Sequence, residues 1–268
     1  MDQRSKFLRK RIIDVLCHAG RGHIGSSMSL VEILRVLYDS VLKFDPNEPE
    51  SADRDRMILS KGHGCLALFV MFAEKGLLTE EELFSFCKFN GATGGLPTAK
   101  TPGIEFATGS LGLGLSLAVG MAAAAKIDKA DHRVFTILGD GECGEGSVWE
   151  AAMSASRQKL GNLVAIIDCN KLQSYGETSE ISAFEPFADK WKSFGFAVEE
   201  VDGHDVAALE QCFSRIPLDN EKPSCIICHT VKGKGLPFAE GVASWHHKTM
   251  LTAEDHKRMY KEVEDYDA

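Results

Sequence analysis

Residues 134–170 read VFTILGDGECGEGSVWEAAMSASRQKLGNLVAIIDCN. An apolar run over 134–138 stops at Gly139-Asp140-Gly141, a helix-like segment follows, and a second apolar run over 163–167 ends at Asp168-Cys169-Asn170. Short apolar runs bounded by turn residues and separated by a helical pattern predict two parallel strands of a βαβ unit. Both polar clusters then fall at the carboxyl ends of their strands, where open α/β sheets bind ligands.

The rest of the chain extends this pattern. Apolar spacing of three and four predicts helices over 3–19 and 28–40. A loop with Pro and acidic residues follows over 43–56, then a short strand over 57–60 and helices over 64–75 and 79–89. Residues 91–105, GATGGLPTAKTPGIE, form a Gly- and Pro-rich loop long enough to be functional. Residues 110–126 predict a helix before the central unit. Strands are expected over 196–201 and 224–230, with a helix near 205–215 between them. No linker, repeat or low-complexity tract interrupts the 268 residues. The expected architecture is one α/β domain over 1–268, a doubly wound, mainly parallel sheet flanked by helices.

Composition sets limits. The net charge is −9 and the hydrophobic share 44%, ordinary for a globular protein. An acidic balance argues against nucleic acid as partner, because phosphate backbones need a basic patch. No stretch approaches the roughly 20 apolar residues of a membrane helix. The N-terminus, MDQRSKFLRKRIIDVL, lacks an apolar signal core. The expected location is the cytoplasm, with the eight cysteines as free thiols. Cys225-Ile-Ile-Cys228 is a lone CxxC inside an apolar run and reads as buried structure rather than zinc or redox chemistry. Met28, Met121 and Met153 are expected in the core. The charged tail after 256 reads as a solvated end.

The central unit suits a metal-bound diphosphate. Asp140 offers a carboxylate oxygen and Asn170 an amide oxygen, both of the hard type Mg²⁺ prefers and shares with phosphates. Gly141 permits close backbone approach, and the following helix start favours an anion. A lone Gly-Asp-Gly is more often only a tight turn, and an Asn only a cap. The second strand ending in Asn, roughly thirty residues later, favours the metal reading. A dinucleotide site is disfavoured, because GSLGLG (109–114) follows no clear strand and lacks GxGxxG.

These residues resemble the thiamine diphosphate enzymes, and the surrounding text resembles the transketolase family. GRGHIGSSMS (21–30) is similar to its GHxG segment and DRDRMILSKGHGCLALF (53–69) to its LSxGH block. TPGIEFATGSLGLGLSLAVGMA (101–122) is similar to TPGxExxTGxLGQG, and HTVKGKG (229–235) and WHHK (245–248) to KGxG and WHGK. The resemblance covers nearly the whole chain in family order. A full transketolase is more than twice as long, and these motifs belong to its N-terminal, diphosphate-binding (PP) part. The resemblance therefore implies the N-terminal subunit of a split transketolase. The pyrimidine-binding (Pyr) and C-terminal domains would lie on a partner chain, in an α2β2 assembly.

Residue roles follow from the resemblance alone. It implies thiamine diphosphate with Mg²⁺, or Ca²⁺ or Mn²⁺ in its place. The metal ligands would be Asp140, Asn170 and the carbonyl of Leu172. His63, Gly109, Ser110, Leu111, Gly141, Glu142, Asn170, Lys232 and His246 would contact the cofactor. His23, Ser26 and His246 would face the sugar substrate, with His23 and His246 handling protons or hydroxyls. Glu145 would link cofactor sites across the dimer. His18, His132, His204 and His256 carry no expected role.

The implied reaction moves a two-carbon ketol unit from a ketose phosphate to an aldose phosphate. Three departures bear on the donor. Leu96 stands where the family's GHP loop has His, Leu113 where LGQG has Gln, and Gln173-Ser174-Tyr175-Gly176 where QIDG is common; in addition His247 replaces a Gly. Loss of a hydroxyl partner at Leu96 predicts a non-standard or less hydroxylated donor. The alternatives are part of a 1-deoxyxylulose-5-phosphate synthase-like or 2-oxoacid-decarboxylating carboligase and, least favoured, a non-catalytic binding subunit.

Overall fold

In the computed structural model, which describes residues 1–266, the chain forms a parallel five-stranded sheet with helices on both faces. Its first helix, α1 (Gln3–Ala19), is capped by Asp2, whose carboxylate accepts from the Ser5 amide at 2.8 Å, and ends at Gly20 with φ 70°. Then come β1 (Arg21–Gly22), α2 (Ile24–Met28) and α3 (Val31–Val36), which runs on as a wider turn over Leu37–Val41. The expected single helix over 28–40 is thus broken at Ser29-Leu30.

The strand β2 (Arg56–Leu59) leads into α4 (Cys65–Glu74), and α5 (Glu80–Phe84) is shorter than its pattern predicts. Next are α6 (Gly114–Asp128), β3 (Val134–Gly139), α7 (Gly146–Arg157) and β4 (Leu163–Cys169), the unit read from residues 134–170. They are followed by α8 (Thr178–Ile181), α9 (Phe187–Ser193), β5 (Ala197–Asp202), α10 (Val206–Phe213) and β6 (Ser224–His229). The chain closes with β7 (Lys248–Thr249) and α11 (Ala253–Glu264).

The sheet order is β2-β3-β4-β6-β5, all parallel, with Gly139 opposite Asp168 and Asp168 opposite Cys228. Both faces of β3 and β4 are buried, which explains their unbroken apolar runs. Alternation splits them. Phe135, Ile137, Val164 and Ile166 pack with α1, α3 and α4, whereas Leu138, Ala165 and Ile167 pack with α6, α7 and Trp191 of α9.

Three expectations change. Met28 is buried and Met121 half-buried, but Met153 is 56% exposed, on the outer face of α7. The charged tail is not a free end: α11 carries a Thr252–Asp255 capping box and buries Met259 and Val263 in the core shared with α1. Its charges mask a sparse apolar stripe of two residues one turn apart. The antiparallel pairing of β1 with β7 was invisible locally, being only two residues long on each side. Cys225 and Cys228 lie buried in β6, and the cysteines are free thiols. Among the described residues, no helix is long and apolar enough to cross a membrane.

Candidate active site

The carboxyl ends of β2, β3, β4 and β6 surround one cleft of about 270 Å³. Asp140 enters it directly after β3. Its Oδ1 accepts from the Gly141 amide at 2.7 Å and its Oδ2 from the Lys171 amide at 2.5 Å. Burial, with the neighbouring Asp168 charge, pushes the Asp140 carboxyl up to about 6. Asn170 follows β4, and its Oδ1 accepts from the Leu172 amide at 3.1 Å. Gly141 has no room for a side chain, since an added Cβ would sit 2.6 Å from Gln173 Cγ.

From β6 the chain brings Lys232, 4% exposed, whose Nζ donates to the Leu172 carbonyl at 2.7 Å. Burial and the Lys61 charge lower its ammonium to about 8. Lys61, 1% exposed, comes from the end of β2 and pairs with the fully buried Asp168. The sequence reading passed over both Lys61 and Asp168. The signal was available: a Lys directly before Gly62-His63, and an Asp inside an otherwise apolar strand.

Imidazoles form the other wall. His23 caps the start of α2, His63 sits in a tight turn before α4, and His246 follows the turn Ala243–Trp245. Their ring centroids lie 5.2–5.4 Å apart. His247 stands 4.6 Å from His23. The β1–β7 pair creates this wall, because it carries Gly22 and Lys248 into register beside these rings. Burial and nearby cationic groups lower His23 to about 4, His246 to about 3 and His63 well below its ordinary value. Neutral imidazoles suit hydrogen bonding to hydroxyls better than a standing charge.

The remaining residues separate by place. Gly109 and Leu111 line the cleft, whereas Ser110 is exposed on the same loop and is not among the lining residues. The Glu142 carboxylate accepts from Ser60 Oγ and from the Gly112 and Gly139 amides, so it braces the loops behind the cleft. Glu145 is exposed at the rim. Leu96 packs over Gly109, where an added Cβ would meet its Cδ1 at 2.6 Å. His204 is structural: it bonds Glu32 at 2.9 Å and accepts from the Val231 amide at 2.8 Å.

The cleft fits a diphosphate with a divalent cation. Ser26 Oγ and His246 Nδ1 are buried there without a hydrogen-bond partner. Such atoms cost about 1–3 kcal/mol each unless something polar meets them. Asp140, Asn170 and the Leu172 carbonyl offer hard oxygens, beside the ammonium groups of Lys61 and Lys232. The described residues contain no cluster of three or more His, Cys, Asp or Glu suited to a metal. Any cation here would therefore lean on amide, carbonyl and phosphate oxygens, as Mg²⁺ commonly does.

Fold and cleft together define a doubly wound α/β domain that receives an anionic ligand at the carboxyl ends of its strands. Comparison supplies the particular family. The model of the transketolase thiamine diphosphate-binding domain matches residues 2–264. The chain is 42% identical to a chain of the split apulose-4-phosphate transketolase of Phocaeicola vulgatus, named as one of its subunits, over 99% of this chain and 94% of that one. It is 40% identical to the 6-deoxy-6-sulfo-D-fructose transketolase subunit SqwG of a Clostridium species, over 98% and 96%. The solved transketolase of Campylobacter jejuni superposes with a TM-score of 0.91 at 30% identity, covering 98% of this chain but 42% of that one. The chain belongs to the transketolase family and is its thiamine diphosphate-binding domain.

Proposed function

We propose that this chain is the N-terminal subunit of a split transketolase, transferring a two-carbon ketol unit between sugar phosphates with thiamine diphosphate and Mg²⁺. The observation that carries the reading is the meeting of Asp140, Asn170 and the Leu172 carbonyl with Lys232 in one cleft, faced by His23, His63 and His246. When bound, the cofactor supplies the carbanion chemistry. The residues of the chain do the rest. Asp140, Asn170 and the Leu172 carbonyl would hold the cation. Lys232 and Lys61 would balance the diphosphate. Ser26, His23 and His246 would orient the sugar hydroxyls and pass protons at them.

A partner chain would bring the Pyr and C-terminal domains, in an α2β2 assembly. Three observations support this. The chain spans about two fifths of the solved transketolase. Its like-sized relatives are named as subunits. The cleft's volume of about 270 Å³ falls below the roughly 300–1,000 Å³ of complete ligand pockets. Glu145 at the rim is positioned to meet such a partner.

The donor is a ketose outside the common set. Leu96 presents an apolar side chain against Gly109, where the family loop would offer an imidazole, and two relatives are named for apulose 4-phosphate and a sulfofructose. The test is co-purification with a candidate partner, then ketol transfer with thiamine diphosphate, Mg²⁺, ribose 5-phosphate and a panel of donors. Activity requiring both chains supports the reading, and robust turnover by this chain alone would sink it. Xylulose 5-phosphate outperforming every other donor would remove the specialised-donor part.

A further inference from the structure

Asp168 is a carboxylate on a face of β4 otherwise filled by Val164 and Ile166, in the apolar layer beneath α1 and α3. Its relative exposure is 0%. A charge so placed costs several kcal/mol unless it is paired and hydrogen-bonded. Here the pairing converges from four elements at the edge of the cleft. Lys61 Nζ, from the end of β2, forms the ion pair. Ser29 Oγ, between α2 and α3, donates to Oδ2 at 2.7 Å. Thr230 Oγ1, just past β6, donates to Oδ1. Asn170 Nδ2 lies 3.4 Å from Oδ2. Burial alone would raise the Asp168 carboxyl, but the Lys61 charge and the bonds from Lys61, Ser29 and Thr230 hold it below its ordinary value.

The consequence lies in what these partners do next. Lys61 and Asn170 both line the cleft. A four-carbon ammonium stem has many rotamers, so an unanchored Lys61 would spread its charge over many positions. The amide of Asn170 is held from both ends, Oδ1 by the Leu172 amide and Nδ2 by Asp168.

We propose that Asp168 is a positioning residue for the diphosphate–cation site, aiming the Lys61 ammonium at the anion and setting the Asn170 amide for the cation. This rests on the cleft being the diphosphate site. The pair is built for binding rather than only for stability, since an apolar pair of the same volume would serve stability as well or better.

The experiment titrates the full chain with inorganic pyrophosphate and Mg²⁺ by calorimetry and measures Tm, for wild type, Asp168→Asn, Lys61→Met and the double variant. Asp168→Asn leaves Lys61 in place, yet is expected to weaken pyrophosphate binding about tenfold or more, the scale of losing a partner that orients a ligand-holding group. The double variant removes both buried charges, so its Tm should return towards wild type while its affinity stays low. That split is the signature of positioning, because a staple with a structural role alone would recover both together.

Wild-type affinity in Asp168→Asn, or in the double variant, overturns the proposal. No binding by wild type overturns the diphosphate reading of the cleft itself. If Asp168→Asn does not fold, Ser29→Ala and Thr230→Val each remove one bond to the carboxylate. Each should weaken binding several-fold, and unchanged affinity in both overturns the proposal.

Discussion

The floor of the cleft and its rim are built on opposite terms. On the floor Lys61, Asp168, Lys232 and Asp140 are each no more than 5% exposed, and each has a partner within the chain. At and around the rim, Leu96 is 40% exposed, Leu113 49% and Tyr175 95%, and Glu145 faces water. A buried charge must be satisfied by the chain that buries it, so the floor is complete in this subunit. An exposed apolar side chain has no such demand, so the rim can wait for another surface.

Several measurements put that contrast at risk. The largest effect is expected away from the site. Arg9 and Glu32 form a buried pair, bonded at 2.5 and 2.8 Å. Arg9→Met leaves Glu32 unpaired and should cost about 3–5 kcal/mol of stability, read by denaturant titration. Pyrophosphate affinity should hold under conditions where the variant is folded.

On the floor, Asp140→Ala should reduce Mg²⁺-dependent pyrophosphate binding by about 100-fold, at or beyond the upper end for losing an outer-shell partner. Calorimetry with and without Mg²⁺ checks this, and an equal loss without Mg²⁺ would remove Asp140 from the cation.

The imidazole wall predicts an acid-side loss of stability. His23 and His246 titrate near 4 and 3 in the fold, below their unfolded value of about 6.5. The unfolded chain therefore binds protons first as pH falls, and stability declines from about pH 6.5 towards pH 4. Tm should fall by several degrees between about pH 7 and pH 5, and His23→Asn should flatten the slope. A flat wild-type profile would contradict the lowered values.

At the rim, Leu96→His should shift donor preference about tenfold in kcat/KM towards more hydroxylated ketoses in the assembled enzyme. The smallest effect is expected for Leu113→Gln, within about 0.5 kcal/mol of wild-type stability in this chain alone. A larger loss would mean that the rim is already packed by its own subunit.

Much of this is legible in the amino-acid sequence. The strands at β3 and β4 announce themselves because a doubly buried parallel strand must be apolar throughout, and Asp140 and Asn170 stand where each run breaks. The helix α1 is equally plain from its spacing. The interruption between α2 and α3 is not, since Ser29 leaves the regular helix and turns its hydroxyl to Asp168, a partner 139 residues away. The helix α11 escapes notice because its burial comes from two residues in a charged segment. Met153 is misplaced because apolar character alone does not tell which helix face meets the core.

Lys61 and Asp168 mark the boundary most clearly. In the sequence they are an unremarkable lysine in a loop and an acid at a strand end, 107 residues apart. The residues alone were enough for the parallel α/β framework, the family, and the pairing of a Gly-Asp-Gly turn with a downstream Asn, because strand burial and loop chemistry are written in neighbouring positions. The folded chain was needed to learn which charges satisfy each other and which imidazoles share a wall. Those contacts depend on strand order and on a two-residue pairing near opposite ends of the chain, and no local pattern encodes such distances.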